Sequence, residues 1–205
     1  KQMVVDSCII YKNSFIIREV QNAIVRKSAF SSATTKVNNT REHIEIRNDS
    51  KATFEENKIE KSCTIVVQAE LNARQNRFLH SPATTIEAEY KATLHIESNE
   101  FEKDHMIISA RDNSEVHCFN NKMSNITRPK TLDSDAKFKA IFIRSFSEGR
   151  IEGNTISGVY DYAIFIDGQS KVDNIANQIE CGIKGSIFYS GFSTGNCEKN
   201  NVTGN

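Results

Sequence analysis

The chain has 205 residues, and its 26 basic and 26 acidic side chains give a formal net charge of zero. This length suits one domain, and the even mixture of charges excludes the concentrated positive surface that binds nucleic acids or acidic membranes. No apolar run approaches the roughly 18 residues of a membrane-spanning helix, so the sequence predicts none.

A repeat of about 22 residues runs along the chain, and each unit closes on a tripeptide of the form Asn-x-apolar. The predicted closing residues are Phe15, Val37, Ile59, Phe78, Phe101, Met123, Ile156, Ile179 and Val202. Two positions before them stand Asn13, Thr35, Asn57, Asn76, Asn99, Asn121, Asn154, Asn177 and Asn200. Such a period is typical of a solenoid, whose units bury their apolar faces only by stacking on one another.

Two short strands are predicted in each unit, because apolar and polar residues alternate with a period of two. In the strand before the closing residue, an interior side chain is expected seven positions earlier, from Cys8 and Phe30 in the first units to Gly195 in the last. An upstream strand repeats as Ile44/Ile46, Ile86/Ala88, Ile108/Ala110, Ile141/Ile143, Ile164/Ile166 and Ile187/Tyr189. The sequence therefore predicts an all-β parallel β-helix in a single domain over residues 1–205.

Three segments share one template: HIEIRNDSKATFEENKI (43–59), AIFIRSFSEGRIEGNTI (140–156) and AIFIDGQSKVDNIANQI (163–179). This repeat resembles that of the pectin-lyase-like superfamily over residues 8–204. The resemblance implies a right-handed single-stranded parallel β-helix solenoid of about nine turns, in which the Asn column is structural. Asn tolerates the left-handed backbone of a tight turn, and its amide can bond its counterparts on neighbouring turns. The superfamily includes polysaccharide lyases, hydrolases, epimerases, phage tail spikes and noncatalytic modules, so the resemblance implies no single function.

The ends and the cysteines lead to two expectations. Neither end carries an amphipathic segment that would cover a terminal turn, so we expect flanking sequence, another domain or a second copy to cap the solenoid. Cys8, Cys118 and Cys197 are predicted to occupy interior columns too far apart for a disulfide. The absence of a disulfide framework slightly favours a cytoplasmic over a secreted location.

One unit is about ten residues longer than its neighbours, and the excess falls at residues 124–139, SNITRPKTLDSDAKFK. Its Pro129 and its Ser and Asp content predict a loop. Loops on a rigid scaffold often carry function, whereas tolerated insertions are also common.

The outward face of the upstream strand changes character along the chain. Its first column is predicted to contain Glu45, Thr64, Glu87, Ser109, Phe142, Phe165 and Phe188. Two residues further on stand Arg47, Val66, Glu89, Arg111, Arg144, Asp167 and Ser190. Glu87 and Glu89 beside Arg111 are weak catalytic candidates, since paired carboxylates can perform acid–base chemistry on a sugar. The alternative is a solvated face on which opposite charges pair across strands.

The three Phe residues of that column predict an interaction site, since stacked exposed rings usually mark one. We expect Arg144, Asp167, Tyr160 and Tyr162 to lie close to them. The alternative is that the insertion at 124–139 covers the rings.

A metal site is not predicted. His95 and His117 share an outward column on successive units, but with Glu115 they provide three ligands where structural zinc needs four. No cofactor is predicted either.

The sequence favours a noncatalytic β-helix module that presents an extended face to a carbohydrate or protein partner. The alternative is a polysaccharide lyase or glycoside hydrolase that uses Glu87, Glu89 and Arg111. Three catalytic motifs of the superfamily's enzymes, namely closely spaced Asp on this face, Gly-His-Gly and Asp-Pro-His, are absent from the sequence.

Overall fold

The computed structural model describes residues 1–11, 14–31, 43–61, 64–81, 84–127, 138–158, 160–180 and 182–204. Within these ranges the chain consists of β-strands and turns and contains no helix. The predicted all-β class is therefore confirmed.

The strands follow one another at short intervals. The first nine are β1 (Gln2–Asp6), β2 (Ile9–Tyr11), β3 (Phe15–Arg18), β4 (Asn22–Arg26), β5 (Ala29–Ser31), β6 (His43–Arg47), β7 (Lys51–Glu55), β8 (Lys58–Glu60) and β9 (Thr64–Val67). The next nine are β10 (Glu70–Arg74), β11 (Arg77–Leu79), β12 (Thr84–Ala88), β13 (Thr93–Glu97), β14 (Glu100–Glu102), β15 (Met106–Ala110), β16 (Glu115–Phe119), β17 (Lys122–Ile126) and β18 (Lys139–Ile143). The last eight are β19 (Glu148–Glu152), β20 (Thr155–Gly158), β21 (Tyr162–Ile166), β22 (Lys171–Ile175), β23 (Gln178–Glu180), β24 (Gly185–Tyr189), β25 (Cys197–Glu198) and β26 (Asn201–Thr203).

Every third strand joins the same sheet, and the pairing is parallel throughout. The first sheet has the order β1-β4-β7-β10-β13-β16-β19-β22-β25, the second β2-β5-β8-β11-β14-β17-β20-β23-β26, and the third β3-β6-β9-β12-β15-β18-β21-β24. Three parallel sheets wound in this order form a β-solenoid, in which we call one passage through the three sheets a coil. The predicted solenoid is confirmed with three strands per coil rather than two, because the closing residue lies in a short strand of its own. The right-handed sense remains a prediction.

Alternation of side chains produces the core. In β13, Leu94 and Ile96 point inward and are fully buried, whereas His95 between them points outward. In the third sheet, the predicted Ile column is buried at Ile86, Ile108, Ile141 and Ile164, and Ile187 in the last strand is partly buried. Each buried Ile removes enough apolar surface from water to stabilise the fold by roughly 1.5–3 kcal/mol.

The predicted register is wrong in the first two coils. The closing column there consists of Ile10 and Phe30, which pair in turn with Ile59. Phe15 instead lies in the third sheet, paired with Ile44, and Val37 lies outside the described residues. This register lets Met3 and Ala23, not Cys8 and Phe30, occupy the column seven positions before the closing residue. Cys8 is exposed beside a turn rather than interior.

An asparagine ladder connects the coils between the first and second sheets. From Asn57 to Asn177, each Asn donates its side-chain Nδ2–H to the Oδ1 of the next Asn at 3.0 Å. The backbone N–H of the same residue donates to the same oxygen at 2.9–3.0 Å. The predicted contact between Asn amides is therefore confirmed. Ser28 replaces Asn in the second coil, where its backbone N–H donates to Asn57 Oδ1.

The expected backbone role of these asparagines is wrong. The left-handed residue is the one before each Asn, namely Glu56, Gln75, Ser98, Asn120, Gly153, Ala176 and Lys199. The Asn side chain is selected for its amide, which accepts and donates at once, and not for tolerance of positive φ.

A serine ladder at the turn between the third and first sheets was not predicted. Ser50, Ser114, Ser147 and Ser170 are buried, and each Oγ donates to the carbonyl three residues earlier at 2.6–2.7 Å. Backbone N–H groups of Ser114 and Ser170 donate to the Ser Oγ of the next coil at 3.2 Å. This second ladder fixes the turn that leaves the outward face of the third sheet.

The described cysteines differ in environment. Cys118 is buried in the first sheet, as predicted, and burial raises the pKa of its thiol to about 12. Cys197 takes its predicted column, paired with Asn174, but is exposed in the last strand. Cys8, Cys118 and Cys197 are all free thiols. The cytoplasmic location stays a prediction.

Replacing Asn121 by Ala should lower the free energy of unfolding by roughly 2–4 kcal/mol, because it leaves the buried N–H of Asn99 and the carbonyl of Ile96 without their partners. Urea unfolding measures the change. Asn72→Ala is the matched control, since Asn72 is half-buried and its side chain donates to Glu70 on the outward face. Equal effects of the two substitutions would contradict a structural ladder.

Candidate functional site

The outward face of the third sheet contains the candidate site, in parallel columns along the solenoid. The first column is Ile16, Glu45, Val66, Glu87, Ser109, Phe142, Phe165 and Phe188. Val66, not Thr64, is its third member, because Thr64 pairs with His43 one column away. Counting back from the closing residue failed here because the turn between β9 and β10 has two residues where that between β12 and β13 has four.

The predicted stack of Phe142, Phe165 and Phe188 is present at the far end of this column. The ring centroids of Phe142 and Phe165 are 5.7 Å apart, and those of Phe165 and Phe188 are 5.1 Å apart. Tyr162, three residues before Phe165 in β21, packs against Phe165 at 5.2 Å and against Phe188 at 5.1 Å. We call these four rings the aromatic face.

The aromatic face is only partly open to water. Phe165 is 4% exposed and Tyr162 8%, whereas Phe142 is half-buried and Phe188 is 38% exposed. The rings thus cover one another in part, and this mutual cover was not predicted. Residues 128–137 of the predicted insertion lie outside the described residues, so its predicted role as a cover stays a prediction.

Two cations lie against these rings. Lys139 Nζ is 4.2 Å from the centroid of Phe142 and 5.1 Å from that of Phe165. The guanidinium carbon of Arg144 is 5.1 Å from the Phe142 centroid. Cations at this range interact favourably with an aromatic ring face. The aromatic face is therefore apolar, with the positive charges of Lys139 and Arg144 beside it.

Arg144 and Asp167, which were both expected beside the rings, form no ion pair with each other. Among the described residues Arg144 takes part in no ion pair, and its Nε lacks a hydrogen-bond acceptor. By contrast, Arg47 pairs with Glu45 at 2.8 Å, and Arg111 pairs with Glu89. The outward column that follows the first by two residues therefore contains an ion pair between Glu89 and Arg111. Further along the same column, Arg144 and Asp167 are not paired with each other.

Tyr160 belongs to the scaffold, although it was expected at the site. It is buried, and its hydroxyl donates to the carbonyl oxygens of Ile156 and Glu180. The next residue, Asp161, is also buried and accepts the backbone N–H of Phe138 at 2.7 Å. Of the turn 160–162, only Tyr162 reaches the aromatic face.

The weak catalytic candidates form an ion-pair cluster. Glu89 accepts from Arg111 and, at 3.3 Å, from Gln68 Nε2. Although partial burial raises the pKa of the Glu89 carboxyl, these hydrogen bonds outweigh it, and the pKa lies below its ordinary value. A general acid requires the opposite shift. The geometry thus favours the alternative in which charges pair across strands, while Glu87 lies in its predicted column, with Ser109 on one side and Val66 in place of the predicted Thr64 on the other.

His95 and His117 stack on the first sheet as expected, with ring centroids 4.9 Å apart and planes 5° apart. His117 Nε2 lies 2.8 Å from Glu115 Oε1, and partial burial and His117 lower the pKa of His95. Among the described residues, no cluster of three or more His, Cys, Asp or Glu could hold a metal ion.

Sequence reasoning missed two exposed aromatic residues beside the candidate site. Phe146 and Phe192 are 59% and 92% exposed at the turn that follows the third sheet. The signal was available: FIRSFS (142–147) and FYSGFS (188–193) repeat Phe-x-x-x-Phe-Ser two coils apart, with FIDGQS (165–170) between them. These residues lie in turns, where the alternation that identifies strands does not apply.

Comparisons with protein-family models, curated proteins and solved structures find no match to this chain. In the part of the chain that the structure describes, no helix is long and apolar enough to cross a membrane.

A buried carboxyl outside the candidate site should make stability depend on pH. Asp104 is fully buried, and burial raises the pKa of its carboxyl to about 7 from 3.8, although it accepts from Ser81 N and Thr85 Oγ1. Between these values the folded chain holds a proton that the unfolded chain has lost, so the free energy of unfolding should fall as pH rises from about 4 to about 7, by at most about 4 kcal/mol.

Urea unfolding of the wild type and of Asp104→Asn at several pH values isolates this contribution. An Asn side chain can still accept from Ser81 and bond Thr85, but it does not titrate. The stability of the wild type relative to the variant should decrease over that pH range and be constant above it. A difference that does not vary with pH would contradict the raised pKa.

Proposed function

We propose that this chain is a noncatalytic β-solenoid module that binds a carbohydrate on the aromatic face. The observation that carries the proposal is the cluster of Phe142, Phe165, Phe188 and Tyr162, whose rings pack against one another in T-shaped and tilted pairs while Phe188 stays 38% exposed. Aromatic rings next to polar groups suit the apolar faces and hydroxyls of a sugar. The rigid parallel sheet holds these rings at fixed spacing, so little side-chain freedom is lost on binding.

The pectin-lyase-like architecture and the right-handed sense belong to the same proposal. The three-sheet parallel solenoid with an Asn ladder supports them, as does the strong preference of parallel β-crossovers for the right-handed sense. A solved crystal structure would determine the hand directly.

The second candidate is a polysaccharide lyase or glycoside hydrolase at Glu87, Glu89 and Arg111. The closeness of the two carboxylates, with Glu87 in β12 and Glu89 directly after its end, favours it. The ion pair of Glu89 with Arg111 disfavours it, because an ionised, paired carboxylate is a poor proton donor. Incubation with a polysaccharide panel, followed by assays for reducing ends and unsaturated products, should give no product. Product that disappears in Glu87→Gln would establish the enzyme instead.

Replacing Phe188 by Ser should weaken carbohydrate binding by about tenfold or more while lowering the melting temperature little, because this ring is the most exposed of the four. Isothermal titration with soluble oligosaccharides and thermal unfolding measure the two effects. Ile16→Ser is the matched control, since Ile16 is an exposed apolar residue of the same column at the opposite end.

Phe165→Ser tests the packing role of the cluster. Because Phe165 is 4% exposed, its replacement should lower the free energy of unfolding by roughly 3 kcal/mol. A triple Phe142/Phe165/Phe188→Ser variant that keeps both stability and all binding would mean that the face is neither packed nor functional. Binding of a protein and of no carbohydrate would replace the proposed ligand class.

A further inference from the structure

The two exposed aromatic residues that follow the third sheet form a ridge along the solenoid. Phe146 N–H donates to the carbonyl of Gly168 at 3.0 Å, and Gln169 N–H donates to that of Gly191 at 2.8 Å. Phe146, Gln169 and Phe192 therefore hold equivalent turn positions in three successive coils. We call these three residues the turn ridge.

The backbone at these positions disfavours an aromatic residue. Phe146 has φ of 62° and Phe192 has φ of 64°, in the left-handed region that Gly and Asn adopt more readily. An earlier coil has Asn113 at the corresponding position, with φ also 62°. Neither Phe makes a ring contact with another described residue, and 59% and 92% of their surfaces are open to water. An aromatic side chain at these positions makes no ring contact that would stabilise the fold, which points to a role other than stability.

A polar column separates the turn ridge from the aromatic face. Arg144, Asp167 and Ser190 follow Phe142, Phe165 and Phe188 by two residues and precede the ridge by two. The result is a polar strip with aromatic residues on both sides, running parallel to the solenoid axis. We call this strip the trough.

Two glycines, Gly168 and Gly191, lie between the polar column and the turn ridge and have no side chains that would fill the trough. A Cβ at Gly191 would lie 2.6 Å from Asp167 Oδ1, and one at Gly168 would lie 2.9 Å from Ser145 N. Gly191 therefore allows the Asp167 carboxylate to lie directly against the turn of the next coil. Gly168 has φ of 64° and Gly191 has φ of 60°, so the turn favours glycine for its backbone as well.

The chemistry of the trough suits a neutral ligand rich in hydroxyl groups. Arg144 offers donors and Asp167 offers acceptors, and their opposite charges give the strip no net charge. Neither pairs with the other, so both can bond the vicinal hydroxyls of a sugar. The Gln169 side chain between the two ridge rings adds an amide that both donates and accepts.

The spacing of the ridge selects an extended glycan. Phe146 and Phe192 are two coils apart, which is about 10 Å at the spacing of parallel strands. In an extended β-1,4-linked glycan, alternate sugar rings face the same way and recur at a comparable distance, so two of them can stack on the two rings. An α-1,4-linked glucan coils and does not present its rings in this way.

We propose that the trough binds a neutral, extended β-1,4-linked glycan along the solenoid axis, with Phe146 and Phe192 as stacking platforms for alternate sugars. This inference rests on the proposed function and names its ligand class. Phe142 and Phe188 form the opposite wall, and Arg144 and Asp167 bond the hydroxyls between the walls.

The test uses isothermal titration of the chain with cellohexaose, mannohexaose and xylohexaose, which are neutral and β-1,4-linked. Maltohexaose, which is α-1,4-linked, and hexagalacturonate, which is anionic, are the comparison ligands. At least one of the first three should bind, and it should bind about tenfold or more tightly than either comparison ligand.

Phe146→Asn and Phe192→Asn test the platforms. Each should weaken binding by about tenfold or more, and each should leave the melting temperature unchanged or raised, because Asn accepts left-handed backbone more readily than Phe. Tyr90→Asn is the matched control: Tyr90 is an exposed aromatic residue with φ of 54° at an earlier turn, away from the trough. It should leave binding unchanged.

The outcomes separate this inference from the proposed function. Binding that Phe188→Ser abolishes and the two Asn variants leave intact would overturn the trough while keeping the aromatic face. Preference for maltohexaose or hexagalacturonate would overturn the ligand class. No binding of any oligosaccharide would overturn both proposals, and self-association that the Asn variants abolish would assign the ridge to a contact between copies.

Discussion

One repeated hydrogen bond sets the register of this solenoid. In each coil from Asn76 onward, one Asn oxygen accepts both the backbone N–H and the side-chain N–H of the Asn one coil earlier in the ladder. These groups are buried, so a coil shifted by one residue would leave donors and acceptors unpaired at about 1–3 kcal/mol each. Such a shift would also turn every interior side chain outward. The ladder and the apolar core thus favour the same register.

Function follows from that register, since equivalent residues of successive coils fall into columns. A side-chain type that recurs in the repeat becomes a continuous strip along the molecule, as with Phe142, Phe165 and Phe188. Such strips suit an extended ligand with its own period. They suit acid–base catalysis less well, because that chemistry needs two carboxylates in different environments, whereas Glu89 lies in an ion pair with Arg111.

The parts of the fold that the sequence could predict are those with strong chemical constraints. The Asn column and the Ile column follow from obligatory bonding and burial, and both are present. The first two coils were misassigned because Ser28 and Cys8 replace Asn there, while Asn13 and Phe15 match the closing pattern elsewhere. The short strands of the second sheet were missed because three residues with one buried side chain give no detectable period.

The candidate site was predicted in part for the same reasons. The Phe column could be read from the repeat, but mutual coverage by Tyr162 depends on packing between columns, which a linear pattern does not contain. Tyr160 was misplaced because a turn residue can point either way, and here its hydroxyl bonds buried carbonyls. Phe146 and Phe192 were not predicted because hydrophobic periodicity applies to strands and not to turns.

Hydrogen exchange of the asparagine side-chain amides, followed residue by residue by NMR, tests the register most directly. The ladder amides of Asn76, Asn99, Asn121 and Asn154 should exchange orders of magnitude more slowly than the amide of Asn72, which points outward. Exchange of all five at similar, solvent-exposed rates would contradict the ladder, and with it the columns that form the aromatic face.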